Sequence, residues 1–253
     1  MTEALRRVIE RAAKRRLSTV ERCGMCAGVI DAQHRHVWDG HDENLLCVCT
    51  PCSLLFDRDA AGGDRYRLIP TRRVRLSTIR AADLSAAGLA VPVGLACFVK
   101  REDGQVWAHY PGPLGVTGAS VDTTVWRALE TRFPILAGLA ARVEAFLMWT
   151  RDRSPATGEA SLTERSFDRG GDEYWLVPLD DCYRLTATLR RHWRGMTGGA
   201  VWREVAAFFH ELAQRAEGAA PCDRVDQWST TPAPLPDRSH APSPDWVQNW
   251  SNA

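Results

Sequence analysis

The chain has no long hydrophobic run. Across its 253 residues no apolar stretch approaches the length of about 18 residues that a membrane-spanning helix needs. Lysine is almost missing. Of 32 basic residues only Lys14 and Lys100 are lysine, and neither stands in a G-x-x-x-x-G-K-[ST] context, which excludes a Walker phosphate loop. G-x-S-x-G is also absent, so there is no nucleophile elbow. His210-Glu211 opens like a zinc-protease motif, but Gln214 stands where the second histidine should be. No acid/base or nucleophile constellation is recognisable, and no catalytic centre is expected. No apolar segment follows Arg6-Arg7, so that pair is not read as an export signal and a cytoplasmic location is expected.

Apolar residues make up 45% of the chain, enough for a buried core. The charge is close to balanced at +1, and the arginine and alanine excess looks like the codon bias of a GC-rich genome. Of eight cysteines, five fall between positions 23 and 52. In a reducing compartment such a cluster reads as a metal site rather than a disulfide framework.

Residues 1–18 are expected to hold a basic amphipathic helix, with Leu5, Val8, Ile9 and Ala12 on one face. Residues 19–62 form the cysteine-rich module. Residues 63–90 read as an arginine-rich connector with strand-like stretches at Tyr66–Ile69 and Val74–Ile79. An α+β domain spans 91–216, expected as a small mixed sheet with packed helices. Glu102-Asp103-Gly104 marks a hairpin turn between two β-rich runs. Ser120 is placed to cap a helix over 121–133. Val143–Trp149 is apolar on both alternations, as in a strand covered on both faces. Residues 151–171 read as a polar loop. Two helices are expected at 180–193 and 198–216, the second with Val201, Val205, Phe208 and Leu212 in one stripe. Residues 217–253 hold a Pro-rich stretch without apolar periodicity and read as a disordered tail. Its Trp246 and Trp250 either fold back or serve as a docking motif.

Cys23-x-x-Cys26 and Cys49-x-x-Cys52 are separated by 22 residues. Two residues between cysteines let both thiolates meet one ion, and two such turns supply a tetrahedron of soft ligands. Cys23, Cys26, Cys49 and Cys52 are therefore the expected ligands, of Zn²⁺ or alternatively of Fe. A hairpin between the turns and an apolar run from Ser53, expected to start a helix, suggest a treble-clef-like arrangement, too small to fold without its metal. Cys47 is expected as a buried neighbour of this site, with exchange for another ligand as the alternative. His34, His36 and His41 are read as turn-forming histidines or as supports behind the ligands.

The segment also resembles the HNH nucleases, which place a histidine on a hairpin between two C-x-x-C turns and an Asn-Leu before the second pair, as at Asn44-Leu45. Arg35 stands where that family has Asp, and Ser-Leu-Leu-Phe-Asp follows Cys52 without the family's Asn or His. The resemblance implies a shared scaffold, and with it an HNH-like nucleic-acid-binding or nuclease module as an alternative function, in which a histidine such as His36 would activate water beside a divalent metal. Paired C-x-x-C turns likewise resemble rubredoxin, which implies iron-based electron transfer. Ala27 and Ser53 replace the glycines typical of its turns.

Gly112, Gly115 and Gly118 before the Ser120 helix form either a connecting loop or an anion-binding loop. Six arginines between 65 and 80 read as a solvated strand face, and fifteen basic against ten acidic side chains over residues 1–80 are a modest footprint for nucleic acid. Cys97 reads as core, and Cys182 and His192 are too far apart on one helix to act as a thiolate–imidazole pair.

Cys23–Cys26, His34-Arg35-His36, the run LLCVCTPCSLLF over 45–56, YRLIP over 66–70, YPGPLG over 110–115, LVPLDDCY over 176–183 and HWRGMTGGAVW over 192–202 together resemble an uncharacterised family of GC-rich bacteria. Its genes often lie beside those of nickel–iron hydrogenases and their maturation factors. The resemblance spans about 20–215. It implies an accessory role in assembly or electron transfer, with a hydrogenase subunit or maturation factor as the protein partner.

Overall fold

The computed structural model describes residues 20–57, 62–63, 65–89, 91, 94–112, 115–150, 171–193 and 201–217. The expected N-terminal helix, the polar segment up to residue 170 and the tail beyond 217 lie outside the described residues. The chain divides into two compact units, Met1–Ile69 and Pro70–Ala253.

The first unit is built on strands β1 (Arg35–Asp39), β2 (Asn44–Val48) and β3 (Tyr66–Leu68), in the order β2-β1-β3. The β1–β2 hairpin sets Asp39 opposite Asn44 and His36 opposite Cys47. Its turn is organised by Asp39, whose Oδ1 accepts from the His41 N–H at 3.0 Å. The buried Asp39 carboxylate is also gripped by Arg65 through both oxygens, at 3.0 and 2.8 Å. That contact holds its pKa below the usual carboxylate range. Arg65 immediately precedes β3, so the expected connector sends its first strand into this sheet, while Val74–Arg75 joins the sheet of the second unit.

The apolar run after Cys52 is not a helix of any length. A helical turn, α1 (Thr50–Ser53), begins three residues before the expected start at Ser53, with Pro51 in its first turn where a missing N–H costs nothing. A 3₁₀ turn over Leu54–Phe56 ends it. Leu54 and Leu55 are exposed, so this run buries no stripe that would sustain a longer helix.

The second unit contains β4 (Val74–Arg75), α2 (Ala81–Ala86), β5 (Leu95–Lys100), β6 (Val106–Gly112), β7 (Gly115–Ser120), α3 (Thr123–Arg132), β8 (Glu144–Trp149), β9 (Glu173–Pro178), α4 (Leu179–His192) and α5 (Val201–Glu217). Its six strands run β4-β9-β8-β5-β6-β7, and every pairing is antiparallel, which corrects the expected mixed sheet. All six residues of β8 are buried, as its sequence suggested. The cause is helices on both faces rather than parallel pairing. On one face Phe98, Phe146, Met148, Tyr174 and Leu176 pack with Trp126 and Leu129 of α3. The Phe98 ring lies 6.0 Å from Trp126 and 5.6 Å from Phe146. Side chains of this size contribute about 1.5–3 kcal/mol each when fully buried. On the opposite face Cys182 of α4 meets Cys97, and Phe209 of α5 stacks on Trp149 at 5.2 Å. The expected stripe of Val201, Val205, Phe208 and Leu212 is buried in full.

Local corrections follow from ladder pairing. Gly104 adopts φ +80° in the β5–β6 turn, as the Asp-Gly signal required. The expected strand Val74–Ile79 is limited to Val74–Arg75, which pair with Leu176 and Trp175 of β9, and the contact ends where the Leu76 N–H donates to the Tyr174 carbonyl at 2.8 Å. Ser120 pairs with Trp107 at the end of β7 and cannot cap. Asp122 caps α3 instead, its Oδ1 accepting from the Thr124 N–H at 2.7 Å. Gly112, Gly115 and Gly118 are hairpin residues of β6 and β7, not a loop at a helix N-terminus. Gly118 lies under His109, where a Cβ would sit 3.4 Å from the ring Nδ1.

Candidate metal centre

The first cysteine pair sits on a tight turn. Arg22 and Val29 bridge its base, the Cys23 N–H donates to the Gly28 carbonyl at 2.8 Å, and the Ala27 N–H returns to the Cys23 carbonyl at 2.8 Å. Closing the turn this sharply puts Ala27 at φ +59°, a conformation that suits glycine better than alanine. The Gly24 N–H donates to the Cys47 carbonyl at 2.8 Å, tying this turn to the end of β2. Cys49 follows β2 directly and is the N-cap of α1, with Cys52 inside its single turn. The second pair is thereby delivered to the first.

The four Sγ atoms of Cys23, Cys26, Cys49 and Cys52 lie within 4.8 Å of one another, and all four cysteines are free thiols. Cys26 and Cys49 are 3.7 Å apart at sulfur. Zinc–thiolate bonds of ~2.3 Å in a tetrahedron place sulfurs ~3.8 Å apart. The donor set and spacing therefore fit a tetrahedral thiophilic cation without rearrangement of the backbone.

The thiols are electrostatically unequal. Burial alone would raise the Cys23 pKa, but backbone N–H groups of Cys26, Cys49 and Met25 outweigh it and hold this thiol at about 6. Hydrogen bonding to the Cys49 thiol, then burial, pushes Cys52 up to about 12. One sulfur is ready as a thiolate and another resists the accumulation of negative charge beside it. A bound dication removes that repulsion and couples metal binding to proton release.

The core around these sulfurs is small. Cys23 packs with Ile30, Val37 and Val48, bordered by partly buried Met25, Leu46, Cys47, Cys49, Cys52, Phe56, Tyr66 and Leu68. Cysteines form the centre of the cluster, so a metal would contribute cohesion that hydrophobic burial does not.

The remaining residues between the turns separate. His41 is exposed and bonds its neighbour Asp42 at 2.8 Å, away from the sulfurs. His34 and His36 instead stack edge-on with ring centroids 4.7 Å apart. A ring nitrogen of each and the Cys47 sulfur lie within 4.8 Å of one another. Cys47 is partly buried and belongs to this second cluster, not to the four-sulfur set. Sequence reading treated the two histidines as supports and missed the trio. Counting back along the hairpin from Asp39 opposite Asn44 would have placed His36 opposite Cys47.

The arginine run is largely exposed, as expected from sequence, since Arg65, Arg72, Arg75 and Arg80 are open to solvent, but its guanidinium groups also make ion pairs that the sequence reading did not place. Arg65 grips Asp39, Arg72 grips Glu144 at 2.8 Å, Arg73 meets Asp181 at 2.6 Å and Arg75 meets Glu173 at 2.9 Å. Arg80 bonds the carbonyls of Ser77 and Ile79 at the start of α2. These contacts hold the guanidinium groups of Arg65, Arg72, Arg73, Arg75 and Arg80 against carboxylates and carbonyls of the same chain. Cys182 is fully buried against Cys97, and burial pushes its thiol well up. His192 bonds the Thr188 carbonyl at 3.0 Å on its own helix, with no part in a pair with Cys182.

Among the described residues no helix is long and apolar enough to cross a membrane. Residues 22–216 match the model of a family of unknown function, DUF5947, and the chain belongs to that family. No curated protein and no solved structure matches the chain.

Proposed function

We propose that the chain is a zinc-binding, non-catalytic accessory protein that works through protein–protein contacts in the assembly or function of a nickel–iron hydrogenase. The observation that carries the metal reading is the meeting of Cys23, Cys26, Cys49 and Cys52 within 4.8 Å on two short turns. A hairpin followed by a helical turn that begins at the second cysteine pair supports the treble-clef-like reading of the module. Zinc suits a site that closes on four thiolates and serves the fold. Contacts with another protein are supported by Val20, Val29, Leu54 and Leu55, four exposed apolar side chains that all belong to this small unit. The hydrogenase setting rests on the family resemblance noted from sequence.

The test is metal analysis with a visible spectrum on untagged full-length protein purified anaerobically, followed by affinity capture from native lysate. Zinc, no colour and recovery of a hydrogenase or maturation component support the proposal. Iron with a red spectrum would instead make the four thiolates a redox carrier. Capture without any hydrogenase component would remove the proposed partner. Cys49→Ser should lose the metal and unfold the N-terminal unit while the α+β core keeps its circular dichroism. Metal loss without loss of structure would show that the site is not structural.

A further inference from the structure

The structure assigns a second metal site to the N-terminal unit, formed by His34, His36 and Cys47 and distinct from the four-thiolate set. A ring nitrogen of each histidine and the Cys47 Sγ lie within 4.8 Å of one another. Strand pairing holds them there, because His36 on β1 is directly opposite Cys47 on β2. His34 is placed beside them by its ring contact with His36.

A second observation points to a ligand. The His34 side chain is one-tenth exposed, and its Nδ1 lies 2.8 Å from the Asp31 carbonyl oxygen, with the Glu21 carboxylate 3.7 Å away. A carbonyl only accepts, so Nδ1 carries the proton and Nε2 presents a lone pair. That Nε2 is buried and has no hydrogen-bond partner among the described residues. A buried acceptor left unmatched costs free energy that a bound cation would offset. An imidazole N–H held by a carbonyl, with a carboxylate nearby and the other nitrogen turned over to ligation, is the arrangement metal-binding histidines adopt.

The donor set selects the class of ion. Two imidazoles and one thiolate suit a borderline-soft transition cation of the zinc and cobalt kind and offer nothing to magnesium or calcium, which take oxygen. Tetrahedral bonds of ~2.0–2.3 Å require donors ~3.3–3.7 Å apart, within reach of small side-chain rotations here. Three protein ligands leave a fourth position for water or an external ligand, unlike the closed four-thiolate site. The inference uses the same folded module as the proposed function but none of its four ligands.

The experiment is a cobalt(II) titration of the full-length apoprotein under reducing conditions, read by the visible and thiolate charge-transfer bands, for wild type and His34→Ala/His36→Ala. Wild type should take two equivalents and the double variant one. The tetrathiolate bands should be unchanged in the variant, showing that the module is still folded. Cys47→Ala should likewise take one equivalent, with loss of charge-transfer intensity from a single thiolate. Saturation of wild type at one equivalent, or two equivalents retained in either variant, would overturn the second site and leave the first standing. No cobalt uptake at all would overturn both.

Discussion

His109 makes the stability of the α+β unit depend on acid in a way that can be calculated. The side chain is fully buried on β6, opposite Cys97 and Gly118. Burial lowers its pKa to about 3, because the imidazolium would lose its hydration. In the unfolded chain the same ring titrates near ~6.5. Between these values the unfolded state binds the proton and the folded state does not, so stability falls as pH drops below ~6.5. The loss approaches ~1.4 kcal/mol per pH unit and reaches about 2 kcal/mol at pH 5 relative to pH 7.5. Urea unfolding of wild type and His109→Phe at the two pH values isolates this contribution, since every other titrating group cancels in the difference. Phenylalanine keeps a ring of similar volume and has no proton to bind. The wild type should lose about 2 kcal/mol more than the variant between pH 7.5 and 5. Equal losses, or an imidazole resonance assigned to His109 that titrates near 6.5 in the folded protein, would refute the reasoning.

Two further perturbations test local readings. Ala27→Gly relieves a left-handed conformation at φ +59° in the first cysteine turn. It should raise the stability of the metal-loaded module by about 0.5 kcal/mol once glycine's greater unfolded-state freedom is counted. A thermal melt that is unchanged or lowered would contradict this. Arg72→Ala removes the guanidinium from the buried Glu144 carboxylate, which keeps a hydrogen bond from the Ala140 N–H at 3.0 Å. Because Arg72 is about half exposed and water can replace it, the expected cost is about 2 kcal/mol, below the range for fully enclosed pairs. Arg72→Ala/Glu144→Gln should recover part of it, and a single-variant loss under about 0.5 kcal/mol in urea unfolding would show that the pair contributes nothing.

Local signals carried much of this fold because they are complete within a few residues. Asp103-Gly104 marked the β5–β6 turn, the spacing of Val201, Val205, Phe208 and Leu212 marked the buried face of α5, and paired C-x-x-C turns marked four residues that do meet. What escaped depended on partners far along the chain. Tyr66–Leu68 is a three-residue strand between arginines, and nothing in those residues says that it pairs with β1 rather than with the strands after it. The all-antiparallel order was hidden for a related reason. A strand such as β8, apolar on both alternations, reports that both faces are covered without reporting the direction of its neighbours. Ser120 and Asp122 are both good caps, and the choice was made by the ladder, which keeps Ser120 opposite Trp107. The ion pairs within the arginine run of 65–80 escaped in the same way, because the partners Glu144, Glu173 and Asp181 stand far along the chain. The trio of His34, His36 and Cys47 belongs to the same class, since only the hairpin register places an imidazole across from that thiol.

The most direct test of the four-thiolate centre is cadmium-113 NMR of the cadmium-loaded full-length chain. The chemical shift of this nucleus reports how many sulfurs surround it, and a site with one sulfur and two nitrogens resonates far from one with four. A resonance in the tetrathiolate range that disappears in Cys49→Ser is expected, whatever a second cadmium at His34, His36 and Cys47 contributes elsewhere in the spectrum. A loaded protein with no resonance in that range, or one that keeps it after Cys49→Ser, would contradict the assignment of Cys23, Cys26, Cys49 and Cys52 to one metal ion.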